Sequence, residues 1–80
     1  MKIPVIKKLV ETFDLHQLEK AEMALLEELV PEIEVEGNDE GEQLTHIMAA
    51  IWILHEMQHR KLDFKEALRE YTKKVRESIN

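Results

Sequence analysis

Residues 47–54 read IMAAIWIL, eight apolar residues inside a longer segment with helical periodicity. A helix that begins near Asp39–Glu42 and runs to Arg60 is about 28 Å long at ~1.5 Å per residue. Steps of about 100° place Leu44, Ile47, Met48, Ile51 and Leu54 on one broad face, and Ala50, Ile53 and Met57 on a second. Only a narrow arc around Glu42, Thr45, Glu56 and Arg60 suits water. A helix apolar nearly all round has to be covered on nearly all sides. The run is far shorter than the ~20 residues that span a bilayer, so the cover has to be protein.

The rest of the chain offers three shorter amphipathic helices. Ile3, Ile6, Leu9, Val10 and Phe13 follow three-and-four spacing, with Pro4 tolerated in a first turn. Asp14 is placed to cap a second helix, with Gln17 reaching back and Phe13 stapling onto Leu18. Leu15, Leu18, Ala21, Leu25 and Leu29 then form its stripe, and Val30-Pro31 is expected to end it. Asp63 and Glu66 repeat the capping pattern before Phe64, Ala67, Leu68, Tyr71, Val75 and Ile79. The expected fold is therefore all-α, a bundle-like single domain with a short first helix. Its helices cover residues 3–12, 15–30, 40–60 and 64–79, with an acidic connector at 31–39. The short turn at Arg60–Leu62 makes the last two helices an antiparallel hairpin.

Three short helices are a meagre cover for the central one, and a second copy of the chain supplies the rest at a twofold interface. The residues expected in that interface are Leu44, Ile47, Met48, Ile51, Trp52, Leu54 and Met57. Trp52 reads first as a packed aromatic anchor, and a central tryptophan also suits an interface hot spot. A chain of 80 residues buries only about 60–65% of its unfolded surface, which also favours a partner.

Charge and cysteine usage narrow the functional classes. The chain has no cysteine, which excludes disulfides and thiolate metal sites. Residues 1–42 carry twelve acids against four bases, and residues 43–80 carry five acids against seven bases, for a net charge of −6. Such a balance opposes general nucleic-acid binding, which neutralises phosphates. The basic row Lys65, Arg69, Lys73 and Arg76 is interleaved with Glu66, Glu70 and Glu77, as on a solvated helix face. The acidic first half is a candidate surface for a basic protein partner, as yet unidentified. MKIPVIKKLV lacks the apolar core of a secretory signal, and a cytoplasmic location without membrane association is the expectation.

One motif carries potential chemistry. His55-Glu56-Met57-Gln58-His59 satisfies H-E-x-x-H and resembles the zincin metallopeptidases, which implies His55 and His59 as zinc ligands and Glu56 as general base. The resemblance covers five residues. A third ligand would have to be Glu66, Glu70 or Glu77, and a chain this small leaves little room for a substrate cleft. The match is read as coincidental, with no catalytic residue and no cofactor assigned. A metal-binding bundle or zinc-dependent hydrolase built on the three residues stands as the alternative. Glu56 and His59 also fit the Glu-x-x-His of di-iron bundles, but Glu56 falls on the polar arc. His16 and His46 read as surface or boundary residues.

In the connector, PEIEVEGNDEG, Ile33 and Val35 alternate with glutamates. This permits a short edge strand, although an extended lid across the helices is favoured. A calcium-loop alignment starting at Glu32 fails, because its twelfth position is Gln43.

MKIPVIKKLVE, GEQLTHIMAAIWIL and DFKEALREYTKKVRESI together resemble a small family of short bacterial proteins, a domain of unknown function. The resemblance implies a compact helical protein without an assigned activity, and it transfers no catalytic residue. The residues themselves point to a non-enzymatic helical module that self-associates, most simply as a dimer.

Overall fold

A computed structural model describes residues 1–79, with side chains through Ser78. Four helices follow in order: α1 (Ile3–Thr12), α2 (Leu15–Leu26), α3 (Glu40–Arg60) and α4 (Phe64–Ile79). No strand occurs among the described residues, and the first helix is short, as expected. The side chain of Ile79, expected on the apolar face of α4, lies outside the described side chains.

Helix α3 is the hub, and each of the other three packs on it. The core gathers Ile6, Leu9 and Val10 from α1 and Leu18, Ala21 and Leu25 from α2. Ile47, Ala49, Ala50, Ile53 and Leu54 come from α3, and Ala67 from α4. Ala49 and Ala50, both fully buried, allow close approach of the flanking helices to the α3 backbone. Trp52 packs on Tyr71 and Arg60 faces Glu70, so the short turn at 61–63 folds α4 back onto α3.

Local chemistry sets most helix starts. The Gln17 amide donates to Asp14 Oδ1 (2.9 Å) and the Asp14 amide donates to Gln17 Oε1 (3.0 Å), closing the capping box. Asp63 and Glu66 make the same reciprocal pair, at 2.8 and 3.0 Å. At α3 the box is displaced by one residue. The Glu42 amide donates to Asp39 Oδ1, while the Glu42 carboxylate accepts from the Asn38 amide, both at 2.8 Å.

Helix α2 stops at Leu26, four residues before the expected end. The Glu28 amide donates to the Leu25 carbonyl and the Leu29 amide to the Ala24 carbonyl, the paired bonds of a Schellman turn. Glu28 takes the left-handed conformation that this turn requires (φ 60°), without the usual glycine. Leu29 consequently leaves the α2 stripe and is 59% exposed.

The connector is an irregular lid, with Val35 buried, Ile33 partly buried and Glu32, Glu34 and Glu36 in solvent. Gly37 holds it against the start of α3, because a Cβ there would lie 2.8 Å from both the backbone N and the Cγ of Gln43.

His46 departs from the sequence expectation of a surface or boundary position. Its ring is completely buried. Its Nε2 accepts from the Lys2 amide at 2.9 Å, and its Nδ1 lies 2.8 Å from the Glu36 carbonyl. An amide only donates and a carbonyl only accepts, so the proton sits on Nδ1 and the ring is neutral. One side chain thereby ties the N-cap of α1 and the connector to α3.

Candidate functional site on the outer face of α3

The sides of α3 are divided differently from the two-face expectation. His46, Ile47, Ala49, Ala50, Ile53 and Leu54 form the buried side. Leu44, Met48, Ile51, His55 and His59 run along the other side at spacings of four, three, four and four. Met48 is 51% exposed at the middle of this row, with Leu44 and Ile51 partly covered on either side of it.

The seven residues expected at an interface therefore separate. Ile47 (0% exposed) and Leu54 (8%) are packed inside their own chain, so neither is free to meet a partner. The helices α1, α2 and α4 thus enclose more of α3 than their lengths promise. Leu44, Ile51, Trp52 and Met57 are partly buried and packed against the core, and Met48 alone of the seven is exposed.

Trp52 lies at the edge of that row and leans on α4. Its ring centroid is 5.6 Å from that of Tyr71, tilted by 53°, and Lys74 Nζ lies 6.0 Å from the indole centroid. Burial in this contact raises the Tyr71 hydroxyl above its ordinary pKa of 10.0.

The HEMQH residues occupy the C-terminal end of the same helix. His55 and His59 are exposed, and their rings stack with centroids 3.9 Å apart and planes 18° apart. His59 Nδ1 lies 2.9 Å from the His55 carbonyl, and His55 Nδ1 lies 3.8 Å from Glu56 Oε2. Glu56 itself leans toward α4: its other oxygen is 3.3 Å from Arg60 Nη1, and Arg60 Nη2 is 4.0 Å from Glu70. Of the carboxylates proposed as a third ligand, Glu66 caps α4 and Glu70 faces Arg60. Glu77 lines a shallow depression with Trp52, Lys73 and Lys74. Among the described residues no group of three or more His, Asp or Glu is placed to hold a metal ion.

A second exposed apolar region lies at the end of α2 and in the turn that follows, and the sequence reading missed it. Leu26, Leu29 and Val30 are 60%, 59% and 92% exposed. A hollow of about 420 Å³ opens between α2 and the returning chain, bordered by His16, Lys20, Ala24, Leu29, Val30 and Ile33. Assigning Leu29 to the α2 stripe concealed this region, since the only sequence signal for exposure there was the nearby Pro31.

No helix is long and apolar enough to cross a membrane among the described residues. No curated protein and no solved structure matches the chain. The model of the family of unknown function DUF6952 matches residues 1–80, and the chain belongs to that family.

Proposed function

We propose that this chain is a non-enzymatic interaction module, cytoplasmic in location, that self-associates as a homodimer through the outer row of α3. The observation that carries the reading is Met48, half exposed at the centre of a row in which Leu44 and Ile51 are also incompletely covered. Charge supports the same face. From Gln43 to His55, thirteen residues contain no Asp, Glu, Lys or Arg, in a chain of net charge −6. Two copies meeting there bring few like charges together, whereas contact through the glutamate-rich half would oppose them.

A standard interface takes about 800 Å² from each partner, roughly a seventh of the 5579 Å² surface of one chain. Leu44, Met48 and Ile51 form its apolar strip, with Trp52 at the flank. The exposed Glu27, Glu28, Glu32 and Glu34 around Leu29 and Val30 leave a separate acidic surface suited to a basic protein partner.

Light scattering after size-exclusion chromatography tests the self-association. The expected mass is twice the 9.5 kDa of one chain. A monodisperse monomer at micromolar concentration overturns the reading.

A further inference from the structure

We propose that His55 and His59 form an open two-imidazole site for a late first-row divalent cation such as zinc or copper. The two residues lie one helical turn apart on the outer side of α3, both exposed, with rings already stacked at 3.9 Å. Hydrogen bonding prepares the His59 ring as a ligand. The His55 carbonyl only accepts, so His59 Nδ1 bears the proton of their 2.9 Å contact and the lone pair is left on Nε2. The Glu56 carboxylate lies 3.8 Å from His55 Nδ1, an electrostatic contact longer than a hydrogen bond.

An imidazole that donates one N–H to a carbonyl or carboxylate and coordinates through the other nitrogen is the usual arrangement of a metal-bound histidine. Lone pairs of near-parallel rings do not converge, so coordination requires the two exposed rings to turn out of their stack until both Nε2 atoms meet one ion. Nitrogen donors select zinc, copper or nickel over calcium and magnesium, which require oxygen.

The site differs from the peptidase reading of the same motif. It has two protein ligands, and solvent or a solute completes the coordination shell. Glu56 lies beside His55 and is held by Arg60 at 3.3 Å. A site of this kind exchanges its ion readily and carries no hydrolytic machinery. It is complete within one chain and does not depend on self-association.

Titration of the untagged chain with zinc chloride and with copper chloride, followed by calorimetry at neutral pH, tests the proposal. One equivalent should bind, copper more tightly than zinc. Losing only an outer-shell partner of a metal ligand costs about 10–100-fold in affinity, so His55→Gln and His59→Gln should each weaken zinc binding at least tenfold. His16→Gln, at another exposed histidine, should leave it within about twofold.

In the parent chain, copper should broaden the NMR signals of His55 and His59 before any others. This readout does not depend on how the variants fold. The proposal is overturned by the absence of saturable zinc binding up to millimolar concentration. Full affinity in both glutamine variants, or an equal loss in His16→Gln, overturns it as well.

Discussion

The Lys2 amide donates to Nε2 of His46 across 44 residues of sequence, and the opposite nitrogen of that ring bonds the Glu36 carbonyl. No other described side chain joins α1, the connector and α3 through hydrogen bonds in this way. Removing the ring leaves a cavity and strands two backbone groups. His46→Ala should therefore destabilise the chain by about 2–4 kcal/mol in urea unfolding. Hydrogen exchange should show the largest added loss of protection at the start of α1 and at residues 36–38. His16→Gln, at an exposed position, should stay within about 0.5 kcal/mol of the parent.

Gly37 is constrained by space, since its φ is not positive. An alanine Cβ there meets the Gln43 backbone nitrogen at 2.8 Å and its Cα at 3.1 Å. Gly37→Ala should cost about 1–3 kcal/mol, the range for forcing extra volume into a packed site. Shortening the neighbour in Gly37→Ala/Gln43→Ala should recover little, because the obstructing atoms are mostly backbone. Full recovery in the double variant would place the clash in the side chain instead.

Glu28 and Lys61 hold left-handed backbone, with φ of 60° and 56°, at the ends of α2 and α3. A residue bearing a Cβ pays about 1–2 kcal/mol there, and glycine returns part of that as greater freedom in the unfolded chain. Glu28→Gly and Lys61→Gly should each stabilise the chain by about 0.5–1 kcal/mol. Thermal unfolding midpoints should rise in both variants and additively in the double variant, since the two turns are separate.

These turns also mark where the sequence ceases to determine the structure locally. The Asp14–Gln17 and Asp63–Glu66 boxes were legible because donor and acceptor lie three residues apart, within one turn. Pro31 fixed only the latest point at which α2 could end. The actual stop depends on Glu28 accepting a conformation that its type disfavours, for which no glycine or asparagine gives notice. His46 was misplaced for a related reason: its partners are 10 and 44 residues away, and only the assembled fold brings them together. At the candidate site, periodicity correctly made α3 the central apolar element. It could not tell which apolar residues the other helices would claim, so Ile47 is enclosed while its sequence neighbour Met48 is half exposed.

Acid should weaken the start of α3 through Glu42. Its carboxylate accepts from the Asn38 amide and lies near Lys2. These hold its pKa below the ordinary 4.5, against an opposing effect of partial desolvation. A carboxylate with a depressed folded-state pKa contributes stability that is fully present above about pH 4.5. That stability is lost as the pH falls through the lowered value. Glu42→Gln should therefore have a lower urea midpoint than the parent at neutral pH. The gap should close as both are acidified through the lowered value. A gap unchanged across that range would show that the Glu42 charge makes no contribution.

Ile47 and Met48 offer the sharpest separation of folding from association. Ile47 is fully buried, and Ile47→Ala should cost about 2–5 kcal/mol of stability as a core truncation. Met48 is half exposed, so the carboxylate of Met48→Glu can reach water in the isolated chain, and the fold should lose less than about 1 kcal/mol. In a twofold assembly the same substitution sets two negative charges near each other in an apolar strip. The dimer should then weaken by at least tenfold, read as a shift toward 9.5 kDa in light scattering at fixed concentration. A Met48→Glu chain that keeps both the parent's stability and a dimeric mass would move the interface elsewhere, with the exposed Leu29–Val30 region the next surface to disrupt.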